Sequence, residues 1–245
     1  AQAAAAGASA PVPPLPLHSS SPWARLRVRL PLPPHLLPFF PPALLDAYAH
    51  LHARVLHVAR AAEAAQQLQC QAVRAVFTLR HRGAEGQVAD VPVPPSVRRR
   101  LCLLLSALVH SLGALQGYMD TDTSVPLFER FLRDLAAAGA QGSSPTVLVA
   151  QHEAFVLALQ RAWLLLDHGK SAALSAVCDA ALSLCYDATH FPLRLRDNLD
   201  VYEAYIKAQL EHFWKHLRQS EGSDSDVDML LTRFNFNHYF DKIGE

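Results

Sequence analysis

The chain has 245 residues, 51% of them hydrophobic, and its 22 Lys plus Arg are balanced by 22 Asp plus Glu, giving a formal net charge of zero. That composition supplies a substantial core for one large domain or two small ones. It excludes the basic footprint of a nucleic-acid binder, so no nucleic-acid partner is expected.

Residues 1–22 are rich in Ala and Pro and lack both a charged start and a continuous apolar centre. They read as a disordered tail or linker rather than a secretion signal. Leu26, Val28 and Leu30 then alternate with Arg25, Arg27 and Arg29, and period two predicts a short extended segment with one covered face. Prolines at 31, 33, 34, 38, 41 and 42 argue against regular structure before Ala43. From 43 to about 69, Leu44, Tyr48, Leu51, Val55, Val58 and Ala62 recur at intervals of three and four. Asp46, His50, His52, Arg54, His57 and Arg60 fill the remaining arc, which predicts a long amphipathic helix with its histidines facing solvent.

Gly83, Gly86, Pro92, Pro94 and Pro95 mark a loop. A second helix begins near Ser96, with Arg98, Arg99 and Arg100 as a solvated end and Val97, Leu101, Leu104, Leu108, Leu112 and Leu115 as its packing face. Its apolar run 101–109 stops at His110, short of the roughly 20 residues that span a bilayer, so a core helix and no membrane insertion are expected. Phe128, Phe131, Leu132 and Leu135 extend the helical pattern, with Glu129 and Arg133 as a surface pair and a kink near Pro126. Ser144 and Pro145 supply the N-cap and first position of the next helix, which uses Leu148, Phe155, Leu159, Ala162 and Leu166 and stops around Gly169.

Leu174, Cys178, Ala181 and Cys185 define another helix, ended before Pro192, and Leu195, Leu199, Tyr202, Ile206, Phe213 and Leu217 define one more. A short helix covers 229–234, directly behind the acidic stretch 221–226, and Phe234, Phe236, Tyr239 and Phe240 crowd the chain end. Chain ends are normally polar and frayed, so this cluster predicts a latch that docks back onto the body. No strand alternation recurs. The fold class is therefore all-α, an antiparallel helical bundle with a short extended segment near the N-terminus, and residues 23–245 form its domain.

The sequence carries few residues arranged for chemistry. The four cysteines lack metal-ligand spacing and read as free thiols, with Cys178 and Cys185 as small buried hydrophobes. His50 and His57 stand two turns apart on a helix, about 10 Å, too far to share an ion. His152 and Glu153 begin a zinc-type motif whose second histidine is missing. Asp120 and Asp122 read as helix-end charges, and Trp163 and Trp214 as core rather than stacking platforms. No enzyme activity, metal or cofactor is expected.

Several stretches, in order, carry a resemblance. The extended segment 26–32 precedes a helix opening Ala43-Leu44-Leu45-Asp46-Ala47-Tyr48; Leu115-Gln116-Gly117-Tyr118 closes a helix with a basic start and is followed by Phe128-Glu129-Arg130-Phe131-Leu132. Next come Val149-Ala150-Gln151-His152-Glu153-Ala154-Phe155-Val156 and Leu230-Leu231-Thr232-Arg233-Phe234-Asn235-Phe236-Asn237. Together they resemble the C-terminal half of the gamma-tubulin complex components, the spindle-pole or GRIP-motif proteins, over about residues 25 to 240. The latch and short loops are most similar to the compact component 4 type. Asn235 stands where the family usually has Asp, and His52 where an apolar aromatic is common.

The resemblance implies a non-enzymatic scaffold whose helical body holds gamma-tubulin for microtubule nucleation, at microtubule-organising centres and spindle poles in the cytoplasm. The implied partners are gamma-tubulin and other gamma-tubulin complex components, with Tyr48, His52 and Arg54, in the first turns of the long helix, as the partner-binding residues. The family's N-terminal part, which makes lateral contacts, is not represented in the sequence, so a fragment or a truncated gene model is expected. The alternative, from a different class, is a helical adaptor or tether that binds peptide helices in a groove.

Overall fold

A computed structural model describes residues 31–74, 78–82, 88–222 and 225–235. The expected tail 1–22, the alternating segment through Leu30, and Phe236, Tyr239 and Phe240 lie outside the described residues. After a 3-10 helix (Pro34–Phe39) come α1 (Pro42–Ala72), a hairpin of β1 (Thr78–Arg82) and β2 (Val88–Pro92), α2 (Pro95–Gly117), a π-helical stretch (Tyr118–Ser124) and α3 (Val125–Ala140). Then follow α4 (Pro145–Ala162), α5 (His168–His190), α6 (Pro192–Asp197), α7 (Leu199–Arg218) and α8 (Ser225–Phe234). The class is all-α, as the periodicity predicts.

Proline sets several of the starts. Pro42, Pro95, Pro145 and Pro192 each stand at the beginning of a helix, where a preset φ helps and the missing N–H would have had no partner. Ser144 occupies the N-cap of α4, but it caps through its carbonyl, which accepts from Val147 (3.0 Å), and not through its hydroxyl. α1 lies against α2 and α5, and α5 against α7. The inward face of α1 is built largely from Ala49, Ala53, Ala61, Ala65 and Ala72 beside Leu44, Leu51, Val58 and Leu68, so neighbouring helices approach closely. Leu101, Leu105, Leu108, Leu112 and Leu115 of α2 are all essentially inaccessible. Burying each such leucine contributes about 1.5–3 kcal/mol before entropy is counted.

The structure corrects several expectations. The proline-rich run contains a 3-10 turn, because a fixed φ near −65° suits that helix as well as a loop. The expected loop is a two-stranded antiparallel hairpin, with Thr78 opposite Pro92 and Arg80 opposite Asp90; its strands are too short for alternation to register as a pattern. Around Pro126 the helical backbone is unbroken, running over Pro95–Ala140, 46 residues, and this helix is long and apolar enough by length and composition to cross a membrane. The apolar run alone did not reveal that length, and the leucines of its α2 portion face the core.

The irregularity sits just before Pro126, as the π stretch. Pro126 has no N–H for the carbonyl four residues back, and widening the turn shifts the bonding register. Thr123 Oγ1 donates to the Met119 carbonyl (2.9 Å), and Trp163 Nε1 donates to Thr123 Oγ1 (3.1 Å). Tyr118 Oη donates to the Ala162 carbonyl (2.9 Å). α4 stops earlier than expected, in a turn where Leu165 N–H bonds the Gln160 carbonyl (2.9 Å) and Leu164 N–H the Arg161 carbonyl (3.0 Å). The expected single helix 195–217 is divided at Asn198 into α6 and α7.

The latch docks as expected as far as it is described. Val227, Leu230, Leu231 and Phe234 are buried, and α8 lies on α2, α7 and the π stretch.

Candidate partner-binding face

The first turns of α1 place Tyr48, His52 and Arg54 in different settings. Tyr48 and His52 are four residues apart and share a side of the helix. His52 is exposed and Tyr48 half-buried, whereas Arg54 points the other way and is only 7% exposed. Tyr48 and His52 thus form one surface, and Arg54 lies behind it.

Tyr48 is oriented from α4. Its hydroxyl lies 2.7 Å from His152 Nε2, and the His152 ring also bonds the Phe39 backbone. Burial lowers the His152 pKa below its usual value, against opposing contributions from the Phe39 backbone bond and Glu153. A neutral ring that donates to the Phe39 carbonyl and accepts from Tyr48 satisfies both groups. Phe131 stacks on His152 (5.5 Å) and on Phe155 (4.7 Å), and Phe40 meets His152 edge-on (5.2 Å). One imidazole therefore joins the 3-10 turn, α1, α3 and α4. His152 was legible as part of a motif, but its role was not, because its partners lie far away in sequence.

Arg54 belongs to a polar seam between α1 and α5. Its Nη1 donates to Ser175 Oγ (3.0 Å) and its Nη2 to the Ser171 carbonyl (3.3 Å) and to Ser171 Oγ. Its Nε is buried without a partner. Desolvation lowers the Arg54 pKa, opposed by nearby Cys178 and Asp179. One turn on, His57 Nε2 lies 2.9 Å from Asp179 Oδ1. His57 is 5% exposed, which corrects the expectation of a solvent-facing histidine: α5 covers this part of the polar arc and answers it with Ser171, Ser175 and Asp179.

Other candidates also find places. Arg100 is more than a solvated helix end, since it pairs with Asp200 and Glu203 across to α7. Asp122 receives a fork from Arg233, with Nη2 to Oδ1 at 2.7 Å. The ion pair on the outside of α3 is Arg130 with Asp134 (3.8 Å), one residue along from the expected Glu129 and Arg133. Cys178 is fully buried and its thiol is pushed up to about 12 by desolvation. Trp163 and Trp214 are core residues. A cavity of about 560 Å³ beside the start of α5 is lined by Arg161, Leu164, His168 and the Asp167–Lys170 ion pair (3.1 Å). Among the described residues, no group of three or more His, Cys, Asp or Glu is arranged to hold a metal ion.

Compared with curated proteins, the chain matches none of them. Compared with protein families, it matches one, described as "Gamma tubulin complex component C-terminal", over residues 15–240. That match takes in the α1 face, the His152 junction and the α8 latch together. The chain therefore belongs to the gamma-tubulin complex component family, in its C-terminal region, and with it to the cytoskeletal apparatus of microtubule nucleation.

Proposed function

We propose that this chain is a non-enzymatic scaffold subunit that binds gamma-tubulin and supports microtubule nucleation at microtubule-organising centres and spindle poles. Residues 23–245 act as the binding domain, other complex components are further partners, and component 4 is the member it is most like. The observation that carries the reading is the family match over residues 15–240. The contact is made by the first turns of α1: His52 and the exposed edge of Tyr48 touch the partner, and Arg54 holds that part of α1 against α5. A rigid helix face loses little freedom on binding, so side chains fixed as Tyr48 is fixed by His152 suit an interface.

His52→Glu tests this without disturbing the core, because His52 is exposed. Capture of purified gamma-tubulin by the full chain should weaken about tenfold, roughly 1.4 kcal/mol, with an unchanged melting temperature. Undiminished capture by the variant would move the contact away from α1. Failure of the well-folded wild-type chain to retain gamma-tubulin would remove the binding role itself.

A further inference from the structure

Two histidines of α7 take no part in the contacts above. His212 and His216 stand four residues apart in the last two turns of the helix, which ends at Arg218. His212 is exposed and His216 half-buried. Their ring centroids lie 4.5 Å apart, with the ring planes at 89°. Neither imidazole makes a hydrogen bond among the described residues, so each keeps a nitrogen lone pair for another partner when neutral.

His216 is seated from α5. Its Cε1 and Nδ1 lie 3.2 and 3.3 Å from the point that a Cβ on Gly169 would occupy. The ring thus rests over a residue without a side chain, and Nε2, the nitrogen farther from Gly169, is left for a ligand.

The spacing is that of a chelate. Residues at i and i+4 share a side of a helix, and two histidines so placed are the ligand pair of helical zinc motifs. His212 therefore has the second histidine that His152 lacks, at the separation that His50 and His57 exceed. Two imidazoles each about 2.0–2.1 Å from one tetrahedral zinc ion have centroids roughly 5 Å apart. The observed 4.5 Å is within a small side-chain rotation of that value. The helix end favours the same charge, because the carbonyls of a last turn carry a partial negative charge that attracts cations.

We propose that His212 and His216 form a two-histidine site for a divalent late transition-metal ion such as zinc, with water completing the coordination. Imidazole suits these ions, whereas magnesium and calcium take oxygen ligands. The ion clips two consecutive turns of α7 together and, through His216, fixes the seat of Gly169 at the start of α5.

Zinc chloride titrated against the full, reduced chain in competition with a chromophoric chelator tests the site. Wild type should take up one equivalent that His212→Ala and His216→Ala each bind about a hundredfold more weakly, the low end of what joining two ligands on one frame adds. The double variant should be no worse than either single one, because a lone imidazole does not chelate. His50→Ala removes an exposed histidine that has no histidine at i+4, and it should bind as wild type does. The four cysteines are free and common to all these chains, so zinc held by thiolates cancels. A wild-type chain that takes up no such equivalent overturns the proposal, as does a folded His212→Ala chain that binds zinc like wild type. Because His212 is exposed, that variant decides the matter even if His216→Ala does not fold. Magnesium that competes with zinc for the same equivalent would also overturn it, since an imidazole pair does not hold magnesium.

Discussion

Individual side chains here do work that their neighbours in sequence do not announce. Leu164 has φ 60°, a left-handed angle that costs a non-glycine residue about 1–2 kcal/mol. Its side chain is only 4% exposed, and burying a leucine contributes about 1.5–3 kcal/mol. Burial wins, which is why the turn ending α4 carries Leu where glycine is usual. His152 gives the residue scale its prediction. Its pKa is lowered in the folded chain, mainly by burial, so between that value and the unfolded value near 6.5 the unfolded chain holds more protons. The stabilisation is fully present above pH 6.5 and is lost as pH falls through the lowered folded value. Melting temperatures from pH 7.5 to 5 should decline more steeply for wild type than for His152→Gln; the other histidines are common to both chains and cancel. Parallel curves would show that His152 does not titrate with unfolding.

Elements differ in how their irregularities are satisfied. The π stretch leaves backbone carbonyls out of the regular ladder, and side-chain hydroxyls take them up: Thr123 Oγ1 and Ser124 Oγ both donate to Met119 O. Thr123 Oγ1 is also the acceptor for the buried Trp163 Nε1–H. Thr123→Val keeps the shape but orphans that donor, and an unsatisfied buried donor costs about 1–3 kcal/mol. Chemical denaturation should show a loss of that size, with Thr123→Ser recovering most of it; an unaffected Thr123→Val would mean that Trp163 finds another acceptor. The sequence located this element only by its proline. Periodicity was sufficient for α1, α2 and α5, where a long apolar stripe repeats; Pro145 marked a start and Pro192 an end correctly, and α8 begins at Ser225, ahead of the expected 229. Periodicity failed at the hairpin, whose strands are short, and at Asn198, where the apolar pattern passes unbroken through the division between α6 and α7.

Across the whole molecule, what the sequence hid is mostly what crosses it. Tyr48 with His152, Arg54 with Ser171 and Ser175, His57 with Asp179 and Asp122 with Arg233 are each separated by more than a hundred residues, and no local pattern pairs them. The resemblance pointed to α1 and α8 through short motifs, but it could not tell that Tyr48 and His52 share a side while Arg54 faces inward. The same global view predicts uneven stability. α1, α2, α5, α7 and α8 supply most of the fully inaccessible side chains, whereas α3 buries only Ala138 and leaves Val125, Phe128 and Leu132 about half exposed. Local opening follows burial, so α3 belongs to the weakly held part of the molecule. Phe128 touches Phe131 and Phe155 from an exposed position, and Phe128→Ala should cost about 1 kcal/mol, within the range of such ring pairs. Phe213 is completely buried, and Phe213→Ala should cost about 3–5 kcal/mol. Equilibrium unfolding of the two variants measures the contrast directly, and equal losses would show that α3 is as firmly part of the cooperative core as α7.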